Sequence, residues 1–194
     1  LVRADNTYMK AHSEYRQQIY LLSEPCVAKA ETLQIDIMQK FFDQQFTPNT
    51  DCDIHRYWQV VDRTTGESLP DFSCEGRIVT IRGTVPYHVY TVSFLAYQIW
   101  EPVSMYNHLT NDWGDREHLI PIDVRYPEAG AHTLQVLEDW LQNHPKTDVV
   151  RFTTFFYNFD LMYDQNAKER QVNWFGYAAC VSPYALDLFE KEYG

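Results

Sequence analysis

Residues 105–118, MYNHLTNDWGDREH, crowd Asn107, His108, Asn111, Trp113 and the carboxylates Asp112, Asp115 and Glu117 into one short stretch. Asparagine amides beside an indole suit a sugar, since the amides give directional hydrogen bonds and the ring meets the flat C–H faces of a pyranose. The same side chains would equally cap the turns of an ordinary loop. His108 and His118 with Asp112 are metal-ligand types, but their spacing matches no standard zinc set, so no metal is expected. One of the carboxylates could act as a glycosidase proton donor, a role that any acidic loop offers.

Arg151 stands in the middle of DVVRFTTFFYNF, residues 148–159, a run that predicts a buried strand. Alternation places Val149, Arg151 and Thr153 on one face and Val150, Phe152 and Thr154 on the other. A buried guanidinium needs an anion. A carboxylate from a neighbouring strand and an anionic ligand group such as phosphate both satisfy it, and the spacing does not choose between them. NWFGY, residues 173–177, sets Trp174 and Tyr177 around Gly176, either as ring faces for a ligand or as core aromatics. Ser182 lies in no GxSxG setting and reads as a helix cap.

The elements that position these residues alternate along the chain. LVRADN reads as the tail of a strand, and Ser23 with Pro25 as a helix start. Residues 30–46 fit a strand by the alternation of Leu33, Ile35 and Ile37 and a helix by Leu33, Ile37 and Phe41; a helix is expected over the second half. Residues 57–82 read as a small antiparallel β insertion. HVYTVSFLAYQIW is apolar on both faces, as a strand covered on both sides should be. A long loop over 101–130 follows. Then comes an amphipathic helix carrying Leu134, Leu137, Trp140 and Leu141, stopped by Pro145 after Asn143. The strand around Arg151, a further loop and a last helix capped by Ser182 with Pro183 at its first position complete the chain. Strand, loop, helix, strand is the rhythm of parallel βα units. With about three barrel strands against the roughly 250 residues of a complete (β/α)8 barrel, the chain predicts an incomplete TIM-type barrel of the α/β class.

Lys and Arg number 16 against 27 Asp and Glu, a net charge of −11 that repels phosphate backbones and argues against nucleic-acid binding. No stretch is long and apolar enough for a membrane span, and the first residues lack the pattern of a signal peptide. The four cysteines, without CxxC spacing, read as free thiols of a reducing cytoplasm.

Taken together, YTVSFLAYQIW, MYNHLTNDWGD, DVVRFTTFFYNF and NWFGYAACVSPYALDLFEKEYG, with YWQVVDRTTGE and LLSEP, resemble the 1,3-β-galactosyl-N-acetylhexosamine phosphorylases, the lacto-N-biose or galacto-N-biose phosphorylase family. The resemblance covers nearly the whole chain. It implies a (β/α)8 catalytic barrel followed by further domains, and reversible, inverting phosphorolysis without metal or organic cofactor. Phosphate attacks the galactosyl anomeric carbon, giving α-galactose 1-phosphate and a free N-acetylhexosamine. Because phosphate is the nucleophile, the second carboxylate of an inverting hydrolase is not needed. Asn107, Arg151 and Trp174 match positions that line the sugar and phosphate pocket. The partners implied are the disaccharide and phosphate, and the resemblance leaves room for a homodimer of the full-length enzyme.

On the same comparison, the general-acid Asp is expected beyond Gly194 and a phosphate-binding stretch before Leu1, so no catalytic residue is assigned within the chain. The 194 residues are expected to be an N-proximal fragment of the catalytic domain, the other barrel strands and C-terminal domains being absent. Asn173 departs from the Asp usual in the family. The alternative acceptor is L-rhamnose, as in 4-β-galactosyl-L-rhamnose phosphorylases, although NWFGY favours N-acetylhexosamine. A non-catalytic carbohydrate-binding module would also want Trp, Tyr and Asn, but no Arg inside a parallel strand.

Overall fold

In chain order the elements are α1 (Asn6–Ala11), β1 (Gln18–Leu22), β2 (Cys26–Val27), β3 (Thr32–Asp36), β4 (Phe46–Pro48), α2 (Ile54–Tyr57), β5 (Gln59–Asp62), β6 (Phe72–Glu75), β7 (Ile78–Arg82), β8 (Val89–Gln98), α3 (Pro102–Thr110), α4 (Pro127–Asn143), β9 (Asp160–Tyr163), β10 (Glu169–Asn173) and α5 (Pro183–Tyr193). The computed structural model describes residues 5–151, 160–163, 169–173 and 181–194.

Strand β8 organises the larger sheet. Its apolar, β-branched and aromatic residues exclude water on both faces, and Val92, Phe94, Leu95 and Ala96 are fully buried. Every one of its residues has a partner strand, all antiparallel. Gln18 opposes Tyr97 and Leu22 opposes Ser93 along β1; Cys26 opposes Tyr90 on β2. Phe46 opposes Gln98 on β4, and Gln59 opposes Ser93 on β5. Around Phe94 the rings of Phe41 and Trp58 approach at centroid distances of 6.1 and 5.7 Å, tilted or edge-on, the geometry that aromatic quadrupoles favour.

A smaller antiparallel sheet runs in the order β3-β7-β6. Its β6–β7 hairpin closes through Gly76–Arg77 between the paired Glu75 and Ile78. Gly76 has φ +59°, as the first position of a two-residue type II′ loop requires. The antiparallel character of 57–82 is therefore present, with membership different from that expected. Strand β5 joins the main sheet, and β3 from the ambiguous 30–46 stretch joins the small one.

Over 30–46 the alternation of Leu33, Ile35 and Ile37 prevails, and the second half is turns rather than helix. Asp36 ends the strand: its Oδ1 accepts the Met38 N–H at 3.0 Å and pairs with Arg77 at 2.7 Å. Ser23 caps no helix. It is buried, its N–H donates to the Val92 carbonyl at 2.9 Å, and its Oγ accepts the Val92 N–H at 2.9 Å, bridging the break between β1 and β2. Within the expected strand tail LVRADN, Asp5 and Asn6 instead begin a helix. Asp5 caps α1 by accepting the Tyr8 N–H at 3.0 Å, and residues 1–4 lie outside the described residues.

The parallel βα pairing expected from the sequence rhythm is not seen among the described residues, whose sheets are antiparallel throughout. Its partner strand is expected over 148–159. Residues 148–151 form no strand, and 152–159 lie outside the described residues. The described chain is thus mixed α/β and not a closed barrel, as an incomplete barrel requires. Helix α4 ends at Asn143 as its Pro145 signal indicates, yet Leu134 and Leu141 on its apolar face are 62% and 38% exposed. No described helix is long and apolar enough to cross a membrane.

One buried carboxylate fastens the turn after β5 to the start of β8. Asp62 Oδ1 accepts the N–H groups of Thr64 and Thr65 at 2.8 and 3.3 Å, while Oδ2 meets His88 Nδ1 at 2.6 Å. Burial alone would push this carboxyl up; the His88 bond, the two backbone donors and the His88 charge outweigh it and hold it at about 2. A folded-state value below the ordinary 3.8 means that Asp62 contributes stability above about pH 4 and loses it as pH falls toward 2. Replacing Asp62 with alanine strands two backbone donors and should cost about 1–3 kcal/mol at neutral pH. Denaturant unfolding of both proteins between pH 5 and 2 should show that gap narrowing with acid. A gap constant over the range would mean that the carboxylate's charge is not what holds the turn.

Candidate functional site

The carboxyl end of β8 leads directly into α3. Pro102 occupies the first helical position, where its missing N–H costs nothing, and the Glu101 carboxylate caps the turn by accepting the Ser104 N–H at 2.6 Å. Asn107 and His108, expected in a loop, therefore sit on a helix. The sequence held the signal in Glu101–Pro102, but glutamate is not among the favoured caps and the polar residues that follow masked the helix.

After α3 the chain turns back at Asn111, Asp112 and Gly114, the last two with φ +48° and +59°. The Asn111 amide donates to Asn107 Oδ1 at 2.7 Å, so the two asparagines form one half-exposed amide pair. His108 lies beside them with Nδ1 2.7 Å from the Ser104 carbonyl oxygen and Nε2 2.7 Å from that of Arg116. The Trp113 ring carries the Arg116 guanidinium at 4.9 Å, and Trp100 stacks on His118 at 3.5 Å. Desolvation pushes the His118 imidazole below its ordinary value, and the charge of His108 pushes the same way. The Asn6 side chain fixes the far end of the return, donating to the His118 carbonyl at 2.7 Å and accepting the Ile120 N–H at 3.0 Å.

The other candidates divide clearly. With both His108 nitrogens facing carbonyl oxygens, no ring lone pair is directed toward a metal, and no group of three metal-ligand side chains occurs among the described residues. Asp112 and Asp115 are exposed. Glu117 pairs with Lys10 at 2.5 Å, and that hydrogen bond holds its carboxyl below the ordinary value, the wrong direction for a proton donor. Arg151 follows α4, is exposed, and makes no ion pair among the described residues, so the buried-strand placement expected for it does not hold there. Val149, two residues earlier, is 81% exposed. Trp174, Tyr177 and Cys180 lie outside the described residues. Cys26, Cys52 and Cys74 are free thiols.

A buried polar seam at the same end of β8 went unread in the sequence. The Asn49 amide donates to Gln18 Oε1 at 2.7 Å, and Gln17 Nε2 donates to the Ile122 carbonyl at 3.1 Å. Asp123 is fully buried and accepts from the Arg125 N–H at 3.1 Å and the Ser182 hydroxyl at 3.3 Å; burial pushes its carboxyl up. Ser182 also accepts the Ala185 N–H at 3.2 Å, so it caps α5 as expected while serving the seam. A lone Asp between the apolar residues of IPIDV was the available signal. Beside it, burial and then Asp51 push the Tyr97 phenol up to about 12.

A half-exposed amide pair with an indole two residues on can bind a polar, ring-shaped ligand. Comparison with known proteins bears on which ligand. The family described as lacto-N-biose phosphorylase N-terminal TIM barrel domain matches residues 1–194. The chain is 49% identical, over 99% of its length, to the 1,3-beta-galactosyl-N-acetylhexosamine phosphorylase of Bifidobacterium longum subsp. longum, and covers 26% of that protein. A 1,3-beta-galactosyl-N-acetylhexosamine phosphorylase of Lachnoclostridium phytofermentans is 47% identical over 99% of the chain, which covers 27% of it. The D-galactosyl-beta-1->4-L-rhamnose phosphorylase of the same organism is 45% identical over 100% of the chain, which covers 28% of it. The chain thus spans about a quarter of the length of the curated relatives it matches.

Proposed function

Because the chain belongs to the lacto-N-biose phosphorylase family, through its N-terminal TIM barrel domain, we propose that it supplies part of the sugar- and phosphate-binding site of a β-1,3-galactosyl-N-acetylhexosamine phosphorylase. The observation that carries this is the Asn107–Asn111 amide pair at the end of α3, two residues before Trp113. Its donors and acceptors suit galactose hydroxyls, and the neighbouring indole suits the C–H face of the ring.

In this proposal Asn107 and Trp174 contact sugar and Arg151 meets phosphate or a sugar oxygen. Arg151 is supported by its exposure and its lack of an ion-pair partner among the described residues. Strand β10, ending at Asn173, pairs with β9, and β9 lies against α3, which carries Asn107. Phosphate attacks the galactosyl carbon and the N-acetylhexosamine leaves with a proton from a group outside the assigned residues. In this proposal no metal or organic cofactor takes part. A cytoplasmic location agrees with the three free thiols. The homodimer rests on the resemblance alone.

The acceptor is tested in the synthetic direction. Given α-galactose 1-phosphate, the complete gene product should release phosphate with N-acetylglucosamine or N-acetylgalactosamine faster than with L-rhamnose. Preference for rhamnose would move the protein to the activity named for the third relative.

A further inference from the structure

Two carbonyl oxygens converge on one imidazole in the α3 return, and neither the sugar nor the fold of the helix explains it. Ser104 is one turn back on α3, and its carbonyl lies 2.7 Å from His108 Nδ1. Arg116 is eight residues on, and its carbonyl lies 2.7 Å from Nε2. Imidazole carries a nitrogen at each of two edges, so one ring meets both oxygens: the neutral ring donates its single N–H to one of them, and the imidazolium donates to both. The ring is also walled edge-on by Trp100, Trp113 and His118, with centroids 5.4, 5.7 and 4.8 Å away. It is thus a crosslink between the helix and the returning chain, directly beside the amide pair.

We propose that His108 is a positioning residue: by bonding the Ser104 and Arg116 carbonyls it holds the 111–116 return on α3 and so fixes the Asn107–Asn111 pair in the orientation that receives galactose. The inference rests on the galactoside reading above. The return contains two residues with positive φ, Asp112 and Gly114, and no regular hydrogen-bond ladder, so few other constraints set its angle to the helix. If the clamp opens, the Asn111 amide that turns Asn107 Oδ1 loses its register. Such a residue acts on galactose binding in ground and transition states alike, which raises KM without lowering kcat.

The test uses the complete gene product with His108→Phe, which keeps an aromatic ring and removes both ring nitrogens, and His108→Gln, which returns an amide donor. Galactose binding is measured by calorimetry, and KM for disaccharide and for phosphate by initial rates. The Phe variant should weaken galactose binding and raise the disaccharide KM about tenfold, while kcat and the phosphate KM stay within about twofold; Gln should recover most of the loss. If the Phe variant does not fold, His108→Met carries the same comparison. An unchanged disaccharide KM, or equal losses for disaccharide and phosphate, would overturn the proposal. Wild-type protein that binds galactose without phosphorolysis sinks the phosphorylase reading alone, and His108 is then judged on binding. Wild-type protein that does neither overturns both.

Discussion

Replacing Arg151 with lysine in the complete gene product should lower kcat/KM about 10- to 150-fold and leave the thermal melt nearly unchanged. The magnitude is that of a lost charge-assisted hydrogen bond, roughly 1.5–3 kcal/mol, at 1.36 kcal/mol per decade of rate. Lysine keeps the charge but loses the planar two-point grip that suits phosphate. The unchanged melt follows from exposure: Arg151 is exposed, carries no ion pair among the described residues, and lysine keeps its charge, so no described carboxylate is stranded by the change. A melt that collapses while the folded enzyme keeps normal kcat/KM would make Arg151 a structural residue.

The second large effect concerns stability. Phe94 is fully buried at the centre of β8, opposite Leu21 of β1 and against the Phe41 and Trp58 rings. Truncation to alanine removes the ring's transfer energy and leaves a cavity that paired strands on β8 cannot close, costing about 3–5 kcal/mol. For a domain of this size that is a fall of roughly 6 to 20 °C in the barrel domain's transition. Calorimetry on the complete gene product reads it. A fall of only a degree or two would mean that β8 is not the strand on which this core is built.

Helix ends and the central strand were legible because their signals are local. Val89–Gln98 is apolar at consecutive positions, and Ser182–Pro183 is a cap followed by a ring that fits the first turn. The 30–46 stretch carried both periods, and what decided it was β7, some 45 residues further on, pairing with Leu33 and Ile35. Ser23 looked like a cap because Pro25 follows, yet its hydroxyl serves Val92, whose proximity no local pattern reveals. The site divides the same way. Asn107, Asn111 and Trp113 announced themselves by type, whereas the work of His108 depends on a carbonyl eight residues away and that of Asp123 on Ser182, 59 residues away. Arg151 was read as buried from its apolar neighbours; Val149 beside it is mostly exposed, since apolar sequence shows a demand for cover and not that cover is present.

The function we propose for this chain is to build the galactoside end of an inverting phosphorylase. The most direct measurement is proton NMR of the complete gene product with lacto-N-biose, with and without inorganic phosphate. With that role, α-galactose 1-phosphate and N-acetylglucosamine appear together only when phosphate is present. Free galactose released without phosphate, or the β-anomer of the sugar phosphate, would contradict it.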